Sequence, residues 1–452
     1  MAYYSRNVDS KLLEWKNDPK HKPILVRGAR QVGKSFAVRH LGETFRYFVE
    51  INLEKRPELK QLFTEDIDVK KTCTNLSAVV GIPIIPGETL LFIDEIQDCV
   101  PAIMSLRYFR EDYPELHVIA AGSLLEFALE ELPSLAVGRI RSLYMYPFSF
   151  DEFLEAQGLR LQLDAKRMAG PQSPVLDALH RQMVEQLRCF MLVGGMPEAV
   201  STWIETHDYL ACSRIHNDIL DTYQDDFNKY KKKISPDLLR RVLRSVARQC
   251  GTKFIYSATE GGERAEKVRQ ALSKLTLAGL AIPVTHTSAE GVPLGAQENE
   301  KNVKYLFLDT GLLLTWQGLP ASDILLSSDV ELVNKGPVAE VLAGLELIKN
   351  GDCFRKAEMY YWQYEVKGAN AEVDYLETRK GKVLPVEVKA KTKGSMQSLY
   401  LFMHKKNLHN AVRTSLENFS SYDYVDSEAD GDDGLRHIEV YPLYALSNLK
   451  RE

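Results

Sequence analysis

The chain has 452 residues, of which 45% are hydrophobic and 26% charged, with a formal net charge of −5. That is the composition of a globular protein of about two to four domains, able to bury its cores without covalent staples. It excludes a uniformly basic nucleic-acid or membrane-surface binder, so any basic surface must be local.

The six cysteines are scattered and form no C-x-x-C pair. This argues against a zinc site or a disulfide framework and fits a reducing, cytoplasmic setting. The first residues, Met1-Ala-Tyr-Tyr-Ser-Arg6, have no signal-peptide apolar core. No stretch approaches the ~18 consecutive apolar residues of a spanning helix, so no membrane role is expected.

In chain order, residues 1–150 alternate short apolar runs with helical patterns. That is the signature of an α/β parallel sheet, with strands expected at 23–27, 47–53, 89–93, 116–121 and 140–146. Between the first strand and the helix opening at Phe36 lies Gly28-Ala29-Arg30-Gln31-Val32-Gly33-Lys34-Ser35. This is a complete G-x-x-x-x-G-K-[ST] phosphate loop in strand–loop–helix context. Gly28 and Gly33 let the backbone curl its N–H groups toward phosphate oxygens, and the helix start adds its dipole. Lys34 would reach the β- and γ-phosphates of ATP, and Ser35 would hold Mg²⁺.

The third strand ends Leu90-Leu-Phe-Ile-Asp94-Glu95. An apolar run closed by two acids places Asp94 to hold Mg²⁺ and Glu95 to polarise the attacking water. Val118-Ile-Ala-Ala-Gly-Ser123 ends in a polar residue. Ser123 would sense the γ-phosphate or cap the following helix with Glu126 as its capping-box partner, and the two roles are compatible. Arg139, in Gly138-Arg139-Ile-Arg141, is a candidate arginine finger, in cis or from a neighbouring subunit; the alternative is a structural or solvated charge.

Residues 151–230 read as a helical lid, with helices near 151, at 176–190 and at 202–228, a loop over 159–174, and a sharp turn at Val193-Gly-Gly-Met-Pro197. Residues 231–305 read as a winged-helix module. It has a capped helix from Ser235, a short β-like stretch at Lys253–Ser257, a helix over Glu263–Ala278, and a hairpin from Ile282–His286 and Val303–Leu308. Such modules either place a helix in the DNA major groove or pack between domains.

Residues 306–452 hold a second constellation. Glu372-Val-Asp374 and Val383-Leu-Pro-Val-Glu387-Val-Lys389 form a hairpin around Arg379–Lys382. Side chains at i and i+2 share a strand face, so Glu387 and Lys389 project together and Asp374 can lie beside them. Two carboxylates and a lysine suit a Mg²⁺ site acting on a phosphodiester. Between Arg379 and Lys393 six basic residues face one acid, as phosphate contacts require. The acidic run Asp423–Asp433 reads as a solvated loop before a closing strand at 438–444.

Asp374 with Glu387-Val-Lys389 resembles the core of the PD-(D/E)xK nuclease superfamily, where an acid on the preceding helix, here Glu340, often completes the metal site. The whole chain resembles a prokaryotic family of AAA-type ATPases with a C-terminal nuclease-like domain of unknown function. The resemblance rests on residues 28–35, Phe92–Gln97, Gly122-Ser123, Gly138-Arg139, Tyr146–Phe153, Gly194–Pro197, Leu308–Leu312 and Glu372…Lys389. It implies an α/β P-loop core (1–150), a helical lid (151–230), a winged helix (231–305) and an α+β restriction-endonuclease-like domain (306–452). It also implies ATP and Mg²⁺ as cofactors, and it makes homo-oligomers plausible.

Two functions follow as expectations. One is an ATP-hydrolysing switch or motor acting on DNA or RNA. The other is an ATP-dependent oligomerising scaffold or signalling protein with a catalytically silent nuclease-like fold. A small-molecule kinase fits less well, because Glu95 directly after Asp94 suits water activation.

Overall fold

The computed structural model describes residues 3–63, 68–130, 138–230, 234–318, 336–366, 369–389, 395–429 and 434–450. Its contacts divide the chain into two compact units. One is Met1–Pro147 with Leu277–Gly279 and Asp352–Lys356; the other is Phe148–Thr276, Leu280–Gly351 and Ala357–Glu452.

The first unit is built on five strands: β1 (Ile24–Arg27), β2 (Tyr47–Asn52), β3 (Thr89–Asp94), β4 (His117–Ala121) and β5 (Arg141–Tyr144). They form one sheet in the order β2-β3-β4-β1-β5, with every pairing parallel. Central β3 and β4 are buried along their whole length, as a sheet covered on both faces requires. Leu25, Leu91, Ile93, Val118 and Ala120 pack with Leu76, Ile103, Leu106 and Phe109 of the flanking helices. The order matters for the site. β4 lies between β1 and β3, so the residues that follow all three strands meet at one edge, where ligands bind in open parallel sheets.

The second unit starts with helices. Ser149 caps Phe150–Ala156 in a reciprocal box with Glu152. The loop expected over 159–174 is instead largely the helix Arg160–Met168. No Gly or Pro interrupts it before Gly170, and Leu163 and Lys166 are buried on its inner face. The helix expected over 202–228 is two helices, Pro197–Thr206 and Tyr209–Asp226. His207 takes φ +50° between them, and the Asp208 side chain accepts from the Leu210 N–H to start the second.

Eight further strands form a mixed sheet: β6 (Ala281–Thr287), β7 (Glu298–Phe307), β8 (Met359–Val366), β9 (Ala369–Arg379), β10 (Lys382–Val388), β11 (Asn410–Ser415), β12 (Ser420–Val425) and β13 (Leu435–Pro442). Their order is β12-β13-β11-β10-β9-β8-β6-β7. The β6–β7 hairpin forms as expected, after helices Pro236–Arg248 and Ala265–Leu277. It is not free-standing, because β6 also pairs in parallel with β8. Lys253–Ser257 contributes only an isolated bridge from Lys253 to Lys304, and Tyr256 begins a short 3₁₀ turn. Asp423–Val425 belong to β12, antiparallel to β13, rather than to a loop. Residues 430–433 of the acidic run and 390–394 of the basic stretch lie outside the described residues.

Helix Gly336–Lys349, the antiparallel run β8-β9-β10, helix Gln397–Lys405 and β11, parallel to β10, follow in that order. This α-β-β-β-α-β unit carries Glu340 on its first helix, Asp374 on β9 and Glu387 on β10.

Candidate active site

The loop after β1 turns on Gly28 (φ +138°), Gln31 (φ +64°) and Gly33 (φ +96°). A Cβ on Gly28 would lie 2.1 Å from the Met145 carbonyl oxygen, so no larger residue fits. Buried Arg6 braces the loop from outside, donating from Nη1 to the Val32 carbonyl (3.1 Å) and from Nη2 to the Tyr146 carbonyl (2.7 Å). Arg30 and Gln31 are at least partly exposed on the loop, whereas Ala29 and Val32 face the core.

Lys34 opens the helix Lys34–Gly42 and is buried. Its Nζ donates to the carbonyls of Gly28 (2.9 Å) and Ala29 (2.7 Å). Burial lowers its pKa to about 8, against the pull of Glu95 and Asp94, so it stays mostly protonated at neutral pH. Ser35 Oγ donates to Asp94 Oδ2 (3.1 Å), and Asn52 Nδ2 at the end of β2 reaches the same oxygen (3.4 Å). Burial and the neighbouring Glu95 push the Asp94 carboxyl up from its ordinary value.

Glu95 takes φ +50° directly after β3, the kind of strained backbone that concentrates at functional sites. Its Oε2 accepts from the Ser123 N–H (3.1 Å), the Ser123 hydroxyl (3.0 Å) and Gln97 Nε2 (2.7 Å). Burial works to raise its pKa, but the bonds from Gln97 and Ser123, with the charge of Lys34, leave it below the ordinary value. Gly122 allows this approach, since a Cβ there would meet Gln97 Oε1 at 1.8 Å.

Six sequence-predicted residues therefore converge at one sheet edge: Gly28, Lys34, Ser35, Asp94, Glu95 and Ser123. Ser123 engages Glu95, and the Glu126 carboxylate is taken by Arg27. Arg139 is half-exposed and its guanidinium pairs with Glu111. Sequence reasoning missed Arg6, Asn52 and the role of Gln97.

The Ser123 bonds have a testable consequence. Ser123→Ala removes one donor to the Glu95 carboxylate, so the Glu95 pKa should rise. The acid limb of the pH profile of ATP turnover should then move to higher pH, because the base is lost at a higher pH as protons are added. An unmoved limb would show that Glu95 is not the titrating group.

In the second unit, Glu340, Glu372 and Asp374 each offer a carboxylate oxygen within 4.8 Å of the others. Lys304 of β7, completely buried, donates from Nζ to Glu340 Oε1 (2.9 Å) and to Glu372 Oε1, with its ammonium 4.9 Å from the Tyr361 ring centre. Asp374 Oδ2 accepts from the Val388 N–H (2.7 Å). Glu387 Oε1 accepts from Lys389 Nζ (2.5 Å), while Glu387 Oε2 has no partner although the residue is only 3% exposed. Burial, with Asp374 adding to it, raises the Glu387 pKa to about 8 against the opposing Lys389. Burial likewise raises Glu340 to about 8 against Lys304. Glu372 is raised by burial too, and Lys304 is itself raised because three nearby carboxylates outweigh its desolvation. The predicted Glu340, Asp374, Glu387 and Lys389 thus lie in one region. Lys304 and Glu372 complete it, and Lys304 was signalled only as a lysine inside the apolar run Val303–Leu308.

No helix of the described residues is long and apolar enough to cross a membrane. No curated protein matches the chain. Among solved structures, a RuvB variant from Thermotoga maritima is 15% identical over 61% of this chain and 88% of its own, with a TM-score of 0.29. A Drosophila ORC bound to DNA is 14% identical over 71% of this chain and 84% of its own, with a TM-score of 0.25. Scores this low carry no argument here. Residues 184–323 match a family model described as a domain of unknown function (DUF8612), and residues 335–441 one described as a domain of unknown function (DUF4143). Residues 20–154 match a model described as an AAA domain. That match, with the five-stranded parallel sheet, supports an AAA-type P-loop ATPase in this portion of the chain.

Proposed function

We infer that the chain is a Mg²⁺-dependent ATPase whose nucleotide cycle governs its C-terminal unit, and that this unit acts on nucleic acid. The observation that carries the ATPase reading is the Glu95 carboxylate, held by Ser123 and Gln97 beside the Ser35–Asp94 pair. The donor set fits the nucleotide and its ion. A hydroxyl and a carboxylate oxygen 3.1 Å apart are hard oxygen ligands, and Ser35 and Asp94 would hold Mg²⁺ there. The ion would neutralise phosphate charge when bound. Lys34 would exchange its two loop carbonyls for phosphate oxygens. Glu95 would take the proton from the attacking water. Its present donors keep it a weak base, and loss of one of them makes it a stronger one.

The nucleic-acid reading is supported by the α-β-β-β-α-β order and by the acids around β9 and β10. Four carboxyl groups (Glu340, Glu372, Asp374, Glu387) gather around two ammonium groups (Lys304, Lys389), and burial favours the neutral form of Glu340 and Glu387 where no further cation is present to take their charge. Together with the unpartnered Glu387 Oε2, this donor set fits one divalent cation of the Mg²⁺ type.

A scaffold reading has its own support. Three of the four arginines of helix Pro236–Arg248 are already paired with acids: Arg241 with Asp237 and Glu263, and Arg244 and Arg248 with Glu260. A helix so paired has less charge to offer DNA phosphates.

The test is purified full-length protein with Mg²⁺, ATP and a panel of DNA and RNA, comparing wild type, Lys34→Ala and Lys389→Ala. We expect nucleic acid to raise ATP turnover, Lys34→Ala to abolish turnover, and Lys389→Ala to abolish metal-dependent cleavage. Turnover indifferent to every polymer, with ATP-dependent change in particle size and no cleavage, would replace this reading with the scaffold.

A further inference from the structure

The cation nearest the second carboxylate cluster belongs to the chain itself. Lys304 comes from β7, outside the α-β-β-β-α-β unit, yet its ammonium bonds two of the three clustered acids. It is fully buried and lies against Tyr361, whose hydroxyl has no partner. A buried ammonium between two carboxylates offsets part of their desolvation, and a divalent ion would offset more. Both draw on the same two carboxylates, Glu340 and Glu372. Two cations held side by side against them in a buried site repel each other strongly.

We propose that Lys304 is a resident cation of this cluster, and that a divalent ion gains Glu340 and Glu372 only by displacing its ammonium. This rests on reading the cluster as a divalent-cation site. Two observations argue that the cluster suits an ion and not the lysine alone. Glu340, Glu372 and Asp374 bring carboxylate oxygens within 4.8 Å of one another, and the Glu387 Oε2 atom is buried without a partner. The lysine then sets a threshold. At low ion concentration the cluster is closed by an internal salt bridge, and at high concentration it opens to coordinate.

The experiment is Mn²⁺ titration by calorimetry on the full chain without nucleotide, in wild type, Lys304→Met and Lys304→Gln, with melting followed in parallel. Glutamine keeps donors for the two carboxylates where methionine does not. We expect either variant to bind Mn²⁺ at least about tenfold more tightly than wild type, since the competing charge is gone. A variant that is unfolded alone and folds with Mn²⁺ supports the proposal equally. Folded variants that bind Mn²⁺ no more tightly than wild type would overturn it. So would variants that stay unfolded at saturating Mn²⁺, because the ion then cannot stand in for the ammonium. Failure of the underlying site looks different: no Mn²⁺ bound by wild type or by either folded variant.

Discussion

Glu95→Gln should lower ATP turnover at least about a hundredfold while nucleotide affinity stays within a few-fold of wild type. Glutamine is nearly isosteric and retains an oxygen to accept from Ser123 and Gln97, so the strained turn at residue 95 keeps its anchors. What it loses is the ability to accept a proton from water. A hundredfold loss corresponds to about 2.7 kcal/mol of transition-state stabilisation, more than one neutral hydrogen bond supplies. Phosphate release and fluorescent-nucleotide binding, measured on the same preparation, separate the two effects. Equal losses in binding and turnover would mean that Glu95 shapes the pocket rather than activating water.

Lys166→Met should destabilise the second unit by about 3–5 kcal/mol, the usual cost of removing one partner from a buried ion pair. Lys166 is completely buried, and its ammonium bonds Asp151 and the Ser447 hydroxyl (2.7 Å). The Lys166 carbonyl also accepts from Asn448 Nδ2 (2.8 Å), so the helix Arg160–Met168 is tied to Leu443–Lys450 through both backbone and side chain. Methionine preserves the stem but leaves Asp151 without its closest cation; Arg167 Nε stands 3.5 Å away from the other oxygen. Urea midpoints of the single variant and of Lys166→Met with Asp151→Leu check this. The double variant should recover most of the loss, because no charge is then left buried alone.

These two residues mark the limits of what was legible in the chain. Gly28–Ser35 and Leu90–Glu95 were readable because their chemistry lies in contiguous spacing: a loop between strand and helix, and acids at the end of an apolar run. Ser123 was readable as a polar strand end. Its bond to Glu95 was not, because it depends on β4 being inserted between β1 and β3. Arg6 and Asn52 reach the site from elements that only the fold brings near. Glu372 shares a face with Asp374 by the alternation of β9, a signal present but unused. Lys304 went unread, although a charge inside the apolar run Val303–Leu308 is itself a reason to look for a buried partner. The helix Arg160–Met168 was missed because polarity was read as irregularity. Apart from Asp164 its residues are all good helix formers, none branched at Cβ, and only the break at Gly170-Pro171 ends the pattern.

The central claim is that Lys34, Ser35, Asp94 and Glu95 form an ATP-hydrolysing site. Its most direct test is steady-state phosphate release from ATP by the purified full chain in Mg²⁺, wild type against Lys34→Ala. The account predicts turnover in the wild type that is lost in Lys34→Ala and on chelation of Mg²⁺. Turnover that persists unchanged in Lys34→Ala would contradict it.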